Sequence, residues 1–147
     1  MIYADLSEKY LAIISEMMKQ PTNKKSMSVD AGENGILSYL IKHNSASPSE
    51  LQKHLNVGSS RVANALTNLQ GKGLIYRQNA LDDRRKVVVS ITEKGKLLQD
   101  KKRKDFVKHF MQVFEQMGQE DAEEFLRLLE QFMRVNQVLF ESERKEG

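Results

Sequence analysis

Apolar residues recur with the period of an α-helix in stretches on either side of the chain's centre, and these predict the flanking helices. The first carries Tyr3, Leu6, Tyr10, Ile13, Ile14 and Met17 and ends before Pro21; the polar run Thr22 to Ser28 predicts a loop. Asp30 opens a second helix with Glu33 as its capping-box partner, and the apolar face is Ile36, Leu37, Leu40 and Ile41. Thr92 with Lys94-Gly95 opens a long helix bearing Phe106, Val107, Phe110, Met111, Phe114 and Met117, interrupted at Gly118. A last helix from about Asp121 carries Ala122, Phe125, Leu126, Leu129, Phe132, Met133 and Leu139.

The centre is patterned more tightly. Ser47-Pro48-Ser49-Glu50 combines an N-cap serine, a proline at the first helical position and a capping-box glutamate, and the short helix behind it buries Leu51 and Leu55. Asn56-Val57-Gly58 is a tight turn into a second helix from Ser59 to about Gln70, with Val62, Leu66 and Leu69 as its apolar stripe. Gly71-Lys72-Gly73 ends that helix. Two β-rich runs follow, Leu74-Ile75-Tyr76-Arg77 and Lys86-Val87-Val88-Val89-Ser90-Ile91, separated by the polar turn Ala80 to Arg85, which predicts a hairpin. Helix, short turn, helix and hairpin make a helix-turn-helix with a wing. The fold class expected is mainly α with a small β-hairpin wing, a winged helix-turn-helix flanked by N- and C-terminal helices, which the resemblance given below implies are dimerisation helices. The expected divisions are 1–28, 29–95 and 96–147.

Charge sharpens this picture. The formal net charge of the 147 residues is +3, yet residues 47–104 alone carry net +8, between a neutral N-terminal stretch and a C-terminal one of net −5. A basic centre points to a localised polyanion footprint, with a merely solvated basic surface as the alternative. The absence of cysteine excludes a disulfide framework, cysteine-based zinc and iron–sulfur sites and thiol chemistry. Apolar runs are too short to span a bilayer and Met1-Ile2-Tyr3-Ala4-Asp5 lacks the layout of a signal peptide, so the expected location is the cytoplasm.

The second helix of such a unit can lie in the DNA major groove while its apolar stripe packs on the first. Its outer face would then present Ser59, Ser60, Arg61, Asn64, Thr67 and Asn68, with Arg61 suited to guanine and Asn64 or Asn68 to adenine. An ordinary solvated helix face is the alternative. In the wing, Asp82-Asp83-Arg84-Arg85-Lys86 sits at a hairpin tip, where Arg85 can enter a narrow minor groove while an adjacent aspartate holds the guanidinium by a bidentate ion pair, and Asp83 is counted with the interface. Lys72, Arg77, Arg84 and Lys86 are expected on phosphates, which would make affinity fall steeply with salt.

Ser47 to Gly95 resembles the winged helix-turn-helix of the MarR (multiple antibiotic resistance regulator) family of bacterial transcription factors. The stretches that carry the resemblance are Leu69-Gln70-Gly71-Lys72-Gly73-Leu74-Ile75-Tyr76-Arg77 and Asp83-Arg84-Arg85-Lys86-Val87-Val88-Val89-Ser90-Ile91-Thr92-Glu93-Lys94-Gly95. The second is the more specific, with a D-x-R wing, a strand and T-x-x-G. The flanking helices match as well. The resemblance implies a homodimer whose terminal helices interlock, holding two winged units on a pseudo-palindrome with half-sites roughly 10–10.5 bp apart. The surplus of large apolar residues at Phe106, Phe110, Phe114, Phe125, Phe132, Leu139 and Phe140 points the same way, with a tightly packed monomer as the alternative.

The resemblance also implies a small aromatic or phenolic effector between the DNA unit and the dimer helices. Met17, Met18, Met111, Met117 and Met133 lie on the helices that would line such a site, although methionine serves equally as core filler. The histidines His43, His54 and His109 have no His or acidic neighbour one turn on, and a composite metal site of His43, His109 and Glu33 is disfavoured. No metal, cofactor or enzyme constellation is expected. The expectation is a cytoplasmic, dimeric, ligand-responsive repressor of double-stranded DNA. A winged protein–protein module, with acidic C-terminal helices docking a basic partner, stands as the alternative.

Overall fold

The computed structural model describes residues 2–18 and 29–146. Among the described residues the order is α1 (Ile2–Met18), α2 (Val29–His43), β1 (Ser45–Ala46), α3 (Pro48–Leu55), α4 (Ser59–Gly71), β2 (Ile75–Asn79), β3 (Val87–Ile91), α5 (Glu93–Met117) and α6 (Gln119–Glu146). The loop expected over Thr22 to Ser28, and the side chains of Met18 and Asp30, lie outside the described residues. The chain forms two compact units: one from α1 and the chain from Arg103 onward, the other from the segment ending at Lys102.

The central unit is built on the apolar stripes the sequence displays. Ile36, Leu37 and Leu40 of α2, Leu51 and Leu55 of α3, and Val62, Ala65, Leu66 and Leu69 of α4 close one core with Leu74, Ile75, Val89 and Ile91. Each such fully buried aliphatic side chain contributes roughly 1.5–3 kcal/mol. Ile41, expected on this face, is instead exposed: it lies beyond the arc of α2 that α3 and α4 cover. Asn44 and Asn56 follow α2 and α3 in the left-handed region, at φ 71° and 54°, where asparagine is tolerated and ends a helix cleanly. The hairpin is antiparallel, Ile75 opposite Ile91 through Asn79 opposite Val87. A third strand, β1, pairs with β3 through Ala46 and Val89, giving the order β1-β3-β2. Two residues are too short a run to show the strand period in sequence.

The cap expected at Ser47 is formed. Ser47 accepts a hydrogen bond from the Glu50 backbone N–H at 3.1 Å, with Pro48 in the first turn. Helix α2 spans Val29–His43, and the Glu33 carboxylate pairs with Lys72 at 3.0 Å.

In the other unit α1 packs on α6. Leu6, Phe114, Ala122 and Leu126 are buried, and Tyr10 sits among Phe106, Phe110, Phe114 and Phe125 with ring centroids 4.6–6.2 Å away. Lys9 pairs with Glu130 at 3.0 Å and Arg103 with Glu8. The last long helix of the sequence reading starts at Gln119, directly after Gly118 at φ 89°. On its exterior Arg127 hydrogen-bonds Glu124, which holds that carboxyl below its ordinary range and the guanidinium above its own. Along α6 Phe125, Leu128, Phe132, Val135 and Leu139 are exposed, alternating by three and four residues in the heptad pattern of a coiled-coil seam. No helix among the described residues is long and apolar enough to cross a membrane.

Candidate nucleic-acid interface

Helix α4 is amphipathic, and burial of Val62, Leu66 and Leu69 fixes its rotation. Ser59, Ser60, Arg61, Asn64, Thr67 and Asn68 are therefore all turned to solvent, as the sequence pattern requires. Its N-terminus differs from that of α3. Gly58 is the N-cap and makes no side-chain cap, and no acidic residue occupies the first turn. The first N–H groups of α4 thus have no side-chain acceptor and suit an anion. The Thr67 hydroxyl donates to the Ala63 carbonyl at 3.0 Å, so toward a ligand it offers a methyl group and an acceptor oxygen. A cleft of about 380 Å³ borders this face, lined by Ile36, Leu55 and Val57 and by Arg61, Asn64 and Asn68.

The helix ends in a Schellman turn. Gly73 stands at φ 75°, its N–H donates to Gln70 O at 3.0 Å, and the Leu74 N–H donates to Leu69 O at 3.0 Å. Leu69 and Leu74, the pair that closes such a motif, are both buried. Thr92 locks the turn to the wing and to α5: its hydroxyl donates to Gly73 O at 2.6 Å and accepts from the Gly95 N–H at 3.1 Å, while its own N–H donates to Leu74 O at 3.0 Å. This explains T-x-x-G. Threonine caps α5, and a Cβ at Gly95 would lie 2.7 Å from Ile91 Cγ1 and closer still to the Leu74 carbonyl oxygen.

At the wing tip Asp83 opens a four-residue turn, its carbonyl accepting from the Lys86 N–H at 3.1 Å. One carboxylate oxygen, Oδ1, takes both the Arg85 backbone N–H at 3.0 Å and Arg85 Nε at 3.3 Å. The contact is thus an Asx-type turn plus a single-oxygen ion pair, where the sequence suggested a bidentate one. The Arg85 side chain remains 91% exposed, and Arg84 and Lys86 beside it in the chain are exposed too. On β2, Arg77 Nε donates to Gln70 Oε1 at 2.7 Å, tying the strand to the end of α4. Lys72 is the residue whose setting departs most from expectation. It is exposed, but its ammonium is paired with the nearly buried Glu33.

Glu33 is therefore engaged away from any histidine, and among the described residues no three His, Cys, Asp or Glu side chains gather as a metal site.

Residues 33–87, the stretch holding α3, α4, β2 and the wing turn up to the start of β3, match the MarR family model. Over that stretch the chain is similar to the MarR family. MarR-family proteins are transcriptional regulators rather than enzymes. A Bacillus subtilis helix-turn-helix transcriptional regulator, YdgJ, is 33% identical over 61 residues, which is 42% of this chain but only 37% of that relative's length. Over the fold, Bacillus subtilis YusO superposes with a TM-score of 0.59 at 25% identity, covering 90% of each chain. Staphylococcus aureus MepR, solved as a complex with DNA, superposes with a TM-score of 0.61 at 26% identity, covering 84% of this chain and 95% of MepR. The mainly helical winged architecture is thus that of the MarR fold.

Proposed function

We propose that this protein is a sequence-specific double-stranded DNA-binding transcriptional regulator that works as a homodimer on a pseudo-palindromic promoter site. The observation that carries the reading is the pairing, in one rigidly tied unit, of the solvent-facing polar side of α4 with an arginine held upright at the wing tip. Arg61, Asn64, Thr67 and Asn68 read base edges in the major groove, and Arg85 enters the minor groove. Ser59, Ser60 and the uncapped start of α4 take a phosphate, while Arg77, Arg84 and Lys86 flank the backbone and Asp83 orients Arg85. The likeness to MepR, a protein solved on DNA, supports the same assignment.

The homodimer rests on the α6 seam. Five large apolar side chains in heptad register, each at least 40% exposed, form a stripe that a second copy would cover. The effector-responsive, repressing role and the cytoplasmic location complete the proposal: a small aromatic or phenolic ligand shifts the protein between two arrangements of its recognition helices, releasing a covered promoter. Footprinting on the DNA upstream of the protein's own gene tests the central part. Two protected half-sites about 10 bp apart are expected; uniform or absent protection there and across random fragments refutes sequence-specific binding.

A further inference from the structure

Lys72 and Glu33 lie 39 residues apart in sequence, and their ion pair joins the end of α4 to the first turns of α2. The two partners are unequally exposed, with the Lys72 side chain 56% accessible and the Glu33 side chain 8%. A carboxylate so far removed from water keeps its counter-ion, because separating them leaves a charge with neither partner nor full solvation. A phosphate contact by Lys72 would require that separation. The same residue is held from the other side: its backbone carbonyl accepts from Lys94 Nζ of α5 at 2.9 Å, and its N–H donates to Asn68 O at 3.0 Å. Asn68 belongs to the face proposed to read bases. The last residues of the recognition helix are thus fixed to α2 through a side chain and to α5 through a carbonyl.

We propose that Glu33 and Lys72 form a positioning clamp that sets the angle at which α4 leaves the core, so that Lys72 acts on DNA recognition through helix placement and not as a phosphate ligand. This rests on the DNA-binding reading. The clamp restrains the C-terminal half of α4, where Thr67 and Asn68 stand, and leaves the uncapped N-terminus to the phosphate. Opening it lets the helix end swing, which costs aligned base contacts while leaving the basic surface intact.

Charge and geometry move in opposite directions on changing Glu33, and this separates the two roles of Lys72. Glu33→Gln removes a negative charge, so a clamp-free account has it binding all DNA equally well or more tightly. The clamp account has it losing about tenfold on the preferred promoter duplex, while scrambled DNA is held as well as before. The experiment is fluorescence anisotropy on both duplexes across a salt series with wild type, Glu33→Gln, Lys72→Met and Lys72→Arg, each checked for folding by circular dichroism. Lys72→Met should lose preference with an unchanged salt slope, and Lys72→Arg, which keeps the pair, should restore it. A Lys72→Met protein that weakens on both duplexes alike, with the slope falling by about 0.9, makes Lys72 a phosphate contact and overturns the clamp. So does a Glu33→Gln protein with full preference. The wild-type rows separate this from failure of the wider reading: a wild type without preference for any promoter duplex refutes specific DNA recognition itself, and the clamp's role with it.

Discussion

Gly95→Ala adds one methyl group at the point where α5, β3 and the end of α4 converge. The added carbon would stand 2.7 Å from Ile91 Cγ1 and 3.2 Å from Ile91 Cδ1, with the Leu74 carbonyl oxygen nearer still. The first contact is roughly 0.8 Å inside the optimum of about 3.5 Å for two carbons. Ile91 can change rotamer only within a packed core, and the Leu74 carbonyl cannot swing away because it accepts from the Thr92 N–H. Relief must come from lifting the first turn of α5, which stretches the cap between Thr92 Oγ1 and the Gly95 N–H. Overpacking costs about 1–3 kcal/mol and a weakened cap about 1 kcal/mol, against about 0.8–1.0 kcal/mol gained from alanine's helix preference. The net is a loss of about 1–3 kcal/mol, which lowers Tm by roughly 2–12 °C for a chain of this size. Gly71→Ala is the internal control. It is also helical, has nothing within 4 Å of the new carbon, and should gain about 0.5–1 kcal/mol. Thermal melts by circular dichroism read both. A Gly95→Ala protein as stable as wild type, or equal losses in both variants, refutes the packing argument.

Other changes separate the parts of the proposed interface. Asn64→Ala should cost about 1–3 kcal/mol on the preferred duplex and relax specificity at one base position, with the salt slope unchanged; equal weakening on specific and random DNA would mean α4 is oriented differently. Arg85→Ala should weaken promoter binding, and Asp83→Ala should reproduce part of that loss although it removes a negative charge; tighter binding by Asp83→Ala would show that the turn does not orient the arginine. Phe132→Asp places a charge in the α6 seam and should shift the sedimentation coefficient to that of a monomer; an unchanged assembly would exclude the seam as the interface. Gly73→Ala should lose about 1–2 kcal/mol from strain at φ 75°.

Much of the fold is visible in the chain because one stripe per helix does most of the packing: Val62, Leu66 and Leu69 fix how α4 turns, and with it which polar side chains face out. Cap chemistry is equally plain at Ser47 and Gly73, where a single residue type answers a single backbone need. What escapes is long-range. The ion pair of Glu33 cannot be read from local spacing because Lys72 is 39 residues away, and β1 is invisible because its pairing with β3 is decided by the hairpin and not by its own two residues. The apolar surplus at the C-terminal end was legible as a total but not in its division. Phe106, Phe110 and Phe114 pack around Tyr10, leaving Leu128, Phe132, Val135 and Leu139 as the outward seam. T-x-x-G could be quoted from the sequence, but its cause, a glycine pressed against the Leu74 carbonyl, needs the fold.

The most direct measurement is fluorescence anisotropy of the purified protein on labelled duplexes, one from upstream of its own gene and one scrambled, from low to physiological salt. The account predicts tight, salt-sensitive binding with a clear preference for the promoter, and a stoichiometry of two chains per site. Equal affinity for the two duplexes, or no binding to either at low salt, contradicts it and turns attention to the winged unit as a protein-binding module.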